Sequence, residues 1–340
     1  MRVLVLGLAT SLIGCTAAAH AATPPELGDV AWLRDYDQAK KRAKAEGKPI
    51  LILFDEVPGC QTCVRYGQSV LRHPLIVEAA ETEFVPVAIY NNVGGKDRAV
   101  LKKYKEPTWN NPVVRIVDAE EKALTPRLAG DYSRAGLVRA MITSLEKLGR
   151  PVPQYLTILA AELGAQTKTT ARAVFSMYCF WSGEACLGNV DGVVASRTGF
   201  LNGSEVVEIT YDPAKLSYDR LVAAAKRGNC ASRVLARNGD EAKVAAKHFG
   251  TSVSVTGKSV RGSEKDDKYQ LRHTLWRFVP MTDLQASRAN SMVGRGQDPS
   301  RLFSPQQRAL FAKAKKKSGA VVLFEEDLVA AFEKAERALN

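Results

Sequence analysis

At 340 residues, with 46% hydrophobic and 25% charged side chains, the chain has the balance of a folded protein of about two domains and not of a disordered one. Its net charge of +12 favours anionic surfaces in general. The densest basic run, Lys313–Lys317, lies in a polar helical stretch with no interleaved aromatics, which argues against nucleic acid as a partner.

Residues 1–21 stand apart. Met1-Arg2 is followed by the apolar run Val3–Gly14 and by Ala19-His20-Ala21, the pattern of a signal peptide with its cleavage site. The mature chain is therefore expected in the periplasm or outside the cell. No later apolar run approaches the ~18–20 residues of a spanning helix. Leu12–Cys15 also reads as a lipobox, which would anchor the chain through Cys15 instead, and both outcomes stay open.

Residues 22–149 form the first expected domain. An amphipathic helix over 33–47 ends at Gly47-Lys48-Pro49. The run "ILILFDE" (50–56) is a central strand covered on both faces. Pro58-Gly59 breaks it, and Cys60 opens a helix to about Leu71. Strands follow over 83–90 and 112–118, with a helix between them, a further strand over 122–128 and a closing helix to Gly149. A short helix within 150–170, bracketed by Pro151 and Pro153 and by the polar tract 164–172, marks the junction. The second domain, 171–320, opens with a strand over 173–180 and a helix from Trp181. A hairpin over 193–213 turns at Asn202-Gly203, a strong hairpin signal. Helix, strand and helix follow to Phe249. The order β-α-β-β-α-β is that of a ferredoxin-like sandwich. Residues 251–318 give no clear pattern, and 321–340 read as a terminal helix.

The chemistry lies in the cysteines. Six occur, at 15, 60, 63, 179, 186 and 230. Once the leader is removed the remaining set is odd and sparse, which suggests one pair plus reactive or resolving thiols and no disulfide scaffold. Cys60-Gln-Thr-Cys63 begins a helix just after an apolar strand. There the free N–H groups favour a thiolate, so Cys60 reads as nucleophile and Cys63 as its partner. A single C-x-x-C, with His73 its nearest histidine, argues against a four-ligand zinc site. No metal is expected, and no cofactor beyond the redox-active disulfide Cys60–Cys63. Cys179 sits in "YCFWSGEA" (178–185), against two aromatics and with a carboxylate nearby.

Residues 30–148 resemble the thioredoxin fold. The resemblance implies that Cys60 attacks and that Pro112, after Asn111, is the cis-proline that binds extended substrate. The stretch "VPGCQTC" (57–63) is similar to a group of bacterial thioredoxin-like proteins whose first motif cysteine is often selenocysteine. The proline precedes the pair here and does not lie within it.

Residues 173–227 resemble the A-type methionine sulfoxide reductases, through "YCFW" (178–181), Glu184, "DGVVASRTGF" (191–200) and "EVVEITYDP" (205–213). This implies an α/β (α+β) chain: a thioredoxin-like domain followed by a ferredoxin-like sandwich of the reductase type. It also implies that Cys179 attacks the sulfoxide sulfur and Glu205 donates the proton. Phe180 and Trp181 would line the methyl pocket. Phe200 stands where the family has a tyrosine, and Glu184 would be structural. The long loop between the hairpin strands and the two oxygen-binding tyrosines have no counterpart. Cys230 and Cys186 are the candidate resolving thiols, with direct attack by Cys60 as the third option. Cys230 is favoured, because a helix over 181–186 at about 1.5 Å per residue holds Cys186 too far from Cys179 for a disulfide. The function so implied is reduction of methionine sulfoxide in oxidised exported proteins, fed by an external thiol–disulfide donor. The alternatives are a thiol–disulfide oxidoreductase with a degenerate substrate-binding second domain, and a non-enzymatic redox-sensitive module of the cell envelope.

Overall fold

A computed structural model describes residues 23–109, 111–166, 169–314 and 327–339. The expected leader with Cys15, and Lys315–Lys317 of the basic run, lie outside the described residues.

The first unit contains α1 (Tyr36–Glu46), β1 (Ile50–Asp55), α2 (Gln61–Ser69), α3 (Pro74–Thr82), β2 (Val85–Tyr90), α4 (Gly95–Tyr104), β3 (Val113–Val117), β4 (Leu128–Ala129) and α5 (Arg134–Lys147), with α6 (Gln154–Gln166) following. The sheet runs β2-β1-β3-β4, with β1 parallel to β2 and antiparallel to β3. All six residues of β1 are buried. Leu51 and Leu53 face Tyr66, Leu75, Ile76 and Met141, whereas Ile50, Ile52 and Phe54 face Tyr36, Ala39, Ala43 and Leu101. Burial of each such side chain is worth roughly 1.5–3 kcal/mol, so this strand anchors two helical layers at once. Asp35 caps α1 by accepting from the amides of Asp37 and Gln38, and Gly47 ends it at φ 62°. Helix α3 was not anticipated. It begins at Pro74, whose missing N–H costs nothing in a first turn.

The second unit contains β5 (Ala171–Ser176), α7 (Phe180–Leu187), β6 (Val193–Leu201), β7 (Ser204–Tyr211), α8 (Tyr218–Arg227), β8 (Arg233–Ala236), α9 (Gly239–Phe249), β9 (Val253–Val255) and β10 (Arg261–Gly262). The sheet order is β10-β6-β7-β5-β8-β9. Its central four strands are antiparallel throughout, the ferredoxin-like arrangement, and the fold class is α/β with a thioredoxin-like part. Asn202 (φ 53°) and Gly203 (φ 79°) close the β6–β7 hairpin with Leu201 paired to Ser204, the left-handed pair that a two-residue turn demands.

The stretch without a sequence pattern holds the two edge strands β9 and β10, then α10 (Tyr269–Arg272), α11 (Asp283–Val293) and α12 (Pro305–Ala314), followed by α13 (Leu328–Leu339). Leu310 and Ala314 of α12 and Phe332 and Ala335 of α13 share a core with Leu75, Tyr155 and Leu159, so the C-terminal helices lie on the first unit. Among the described residues no helix is long and apolar enough to cross a membrane.

Candidate active site

Strand β1 delivers the first cysteine pair. Cys60 is the N-cap of α2 and exposed, Cys63 is buried one turn further on, and their unbonded sulfurs lie 3.2 Å apart. The approach is tight. A Cβ on Gly59 would stand 2.3 Å from the Glu56 carbonyl oxygen and 2.7 Å from the Cys63 Cβ, so no side chain fits there. A Cβ on Gly67 would stand 1.9 Å from the Pro25 carbonyl oxygen. That contact seats the N-terminal turn Pro25–Leu27 on α2 and lets Glu26 accept the Gly59 amide at 2.6 Å.

The two thiols differ electrostatically. Burial alone would raise Cys60, but the amide and thiol of Cys63 and the amide of Thr62 outweigh it and hold its pKa below the ordinary thiol value. Cys63 is pushed up, by burial first and then by its hydrogen bond to Asp55. Asp55 is fully buried, and burial lifts its pKa to about 7 against the hydrogen bonds from Cys63 and the Glu56 amide. Asp55 was missed in the sequence reading, although a carboxylate closing a wholly apolar strand was its visible signal.

Pro112 requires a correction. It was expected as a cis-proline beside the pair, but the cis peptide among the described residues is Val57–Pro58. Pro112 is buried directly ahead of β3. The trans preference of an X–Pro bond is only about 0.5–1 kcal/mol, so a proline before a strand does not reveal its isomer. Its neighbour Asn111 does reach the pair, with Oδ1 3.3 Å from the Cys60 sulfur.

The second thiol follows β5. Cys179 is the half-buried N-cap of α7, and Tyr178 before it is fully exposed. Sheet register brings Glu205 alongside. Ser176 pairs with Val206, and the Ser176 hydroxyl donates to the Glu205 carbonyl, so the Glu205 side chain starts where α7 begins. Its carboxylate accepts the Phe180 amide at 2.8 Å. Phe180 is buried, with ring centroids 5.4 Å from Phe200 and 5.9 Å from Trp181. Cys179, Phe180, Trp181, Phe200 and Glu205 therefore form one group. Two further members come from the unpatterned stretch. Tyr269 stacks on Trp181 at 3.7 Å between centroids, and Asp266 accepts the Trp181 Nε1–H at 3.2 Å. No local signal marks either residue. Glu184 points elsewhere: it is fully buried, ion-paired to Lys268 Nζ at 2.7 Å and hydrogen-bonded to Asn290.

Cys186 and Cys230 also require a correction. Both were expected as candidate resolving thiols for Cys179, with Cys230 favoured, but they are bonded to each other with Cα atoms 5.5 Å apart. Cys186 sits on the last turn of α7 and turns toward the loop after α8. Gly228 leaves the room: a Cβ there would meet the Cys230 sulfur at 2.7 Å and the Cys186 sulfur at 3.3 Å. Cys60, Cys63 and Cys179 are the free thiols among the described residues.

A family model described as thioredoxin-like matches residues 31–119. An alignment of 74 positions, covering 17% of this chain and 46% of a peptide methionine sulfoxide reductase of Geobacter metallireducens, shows 36% identity. An alignment of 70 positions, covering 16% of this chain and 45% of one from Methanococcus maripaludis, shows 34% identity. The chain thus spans less than half the length of these curated relatives. Among solved structures, one titled DsbH oxidoreductase aligns with 38% of this chain and 92% of its own, at 20% identity and a TM-score of 0.31. The chain is therefore thioredoxin-like over residues 31–119 and, in a partial stretch, similar to peptide methionine sulfoxide reductases.

Proposed function

We propose that the protein is an exported thiol oxidoreductase that reduces methionine sulfoxide in oxidised proteins. The observation that carries this is the free Cys179 thiol at the start of α7, with the Glu205 carboxylate on the next amide and an aromatic wall beside it. The Cys179 thiolate attacks the sulfoxide sulfur while Glu205 protonates the oxygen. The substrate sulfur gains two electrons and leaves as the thioether, and Cys179 is left as a sulfenic acid. A thiol then attacks that sulfur, releases water and forms a disulfide. Phe180, Trp181 and Phe200, with Tyr269, supply the apolar surface for the methyl group. With Cys186 and Cys230 bonded together, the resolving thiol comes from Cys60 or from an external dithiol, and the Cys60/Cys63 pair passes electrons onward.

The opposed thiol shifts of Cys60 and Cys63, with Asp55 behind them, favour a second reading. In it the first unit exchanges disulfides in its own right and the second only binds substrate. Turnover of a methionine sulfoxide peptide with a chemical dithiol separates the two. Cys179→Ser should abolish it and Cys60→Ser should leave it intact. Full turnover by Cys179→Ser would remove the first reading.

A further inference from the structure

Three carboxylates converge on the Cys60–Cys63 pair. One Glu56 oxygen and the two sulfurs lie within 4.8 Å of one another. Glu26 spends one oxygen on the Gly59 amide, and its other is buried with no partner among the described residues. Asp55 accepts the Glu56 amide at 3.1 Å and likewise leaves one buried oxygen unpartnered among the described residues. The corner therefore gathers two soft sulfur donors and carboxylate oxygens, and among the described residues no lysine or arginine is ion-paired to them.

We propose that the reduced pair and Glu56 form a binding site for a thiophilic divalent cation, Zn²⁺ being the best fit. Cys60 Sγ, Cys63 Sγ and a Glu56 oxygen would be the ligands, with water in the fourth position. Two thiolates and a carboxylate suit a borderline-soft tetrahedral ion, whereas Mg²⁺ and Ca²⁺ take oxygen donors. The lone C-x-x-C weighs against a closed four-ligand site; a three-ligand open site needs only one such pair. Thiolates bound at about 2.3 Å to tetrahedral zinc lie about 3.8 Å apart. The present 3.2 Å separation must widen by roughly half an ångström, a small rotation of the exposed Cys60 side chain. Glu26, on the Gly59 amide, and the buried Asp55 flank the site without ligating. Binding releases two thiol protons to solvent and moves no electrons. The pair stays reduced, and, on the reading of Cys60 as its nucleophile, the metal holds it out of exchange.

The test uses the full chain, reduced and then freed of reductant without air. It is titrated with Zn²⁺ against a chromogenic chelator, then alkylated and peptide-mapped. One equivalent should bind and protect Cys60 and Cys63, while Cys179 stays open to alkylation. Glu56→Gln, at a half-exposed position, should weaken binding about 10-fold or more, and Cys60→Ser should abolish it. Undiminished affinity in Glu56→Gln, or zinc that leaves the pair unprotected, overturns the proposal. The readout is metal binding, so failure of sulfoxide turnover and failure of this site are distinguishable.

Discussion

The Glu205 carboxylate accepts the Phe180 amide, and that contact separates its chemistry from its structural role. Glu205→Gln keeps an acceptor for the amide but cannot deliver a proton. Turnover of a sulfoxide peptide should fall by about 10²–10⁴, the usual contribution of a positioned acid, with the thermal midpoint little changed. A large loss of stability with unchanged turnover per folded molecule would assign Glu205 a capping role alone. His73 makes a second statement at this scale. Burial first, and then the positive charge of Arg134, hold its pKa down to about 3. The unfolded imidazole takes its proton near 6.5. Between these values the unfolded chain binds a proton that the folded chain refuses. Stability is therefore full above about pH 6.5 and falls as pH drops toward 3, by about 2 kcal/mol from pH 7 to pH 5. Urea melts of His73→Gln should lack this part of the pH slope.

Helix α7 is held by two unlike devices. The Cys186–Cys230 bond fastens its end to the loop after α8, across a sequence separation of 44. Replacing both cysteines by serine should cost about 2–4 kcal/mol, read as a shift in the urea midpoint. On the proposed mechanism neither cysteine resolves Cys179, so steady-state sulfoxide turnover driven by a thiol–disulfide protein donor should survive the double substitution. Its loss would return one of the two cysteines to the relay. The other device is Glu184, which ties the middle of the helix to Lys268 and Asn290. Lys268→Met leaves a buried carboxylate without its cation and should cost about 3–5 kcal/mol.

Across the whole molecule, the C-terminal helices belong to the packing of the first unit. Phe332 is 4% exposed and lies in the same core as Leu75 and Tyr155. Phe332→Ala should cost about 3–5 kcal/mol. Hydrogen exchange should show the loss in α3 and α6, with the β5–β8 sheet little affected. Equal deprotection of both units would mean that they unfold as one.

The sequence by itself determined the features that depend on near neighbours. An apolar run of strand length with a C-x-x-C behind it placed Cys60 at a helix start, and Asn202-Gly203 set the β6–β7 hairpin. A strand-length run followed by a helix from Trp181 put Cys179 just ahead of a helix start. Each follows from backbone preferences and periodicity over a few residues. Tertiary structure decided what depends on distant partners. Cys186 meets Cys230 because α7 and the loop after α8 converge, and spacing along the chain does not encode that approach. Tyr269 and Asp266 reach Trp181 from short elements with weak local signals of their own. Asp55 acquires its character from burial, and the isomer of Pro112 rests on an energy difference too small for sequence to report. Hydrophobic periodicity acts over one or two turns, whereas disulfide partners, desolvation and ring stacking are properties of the assembled core.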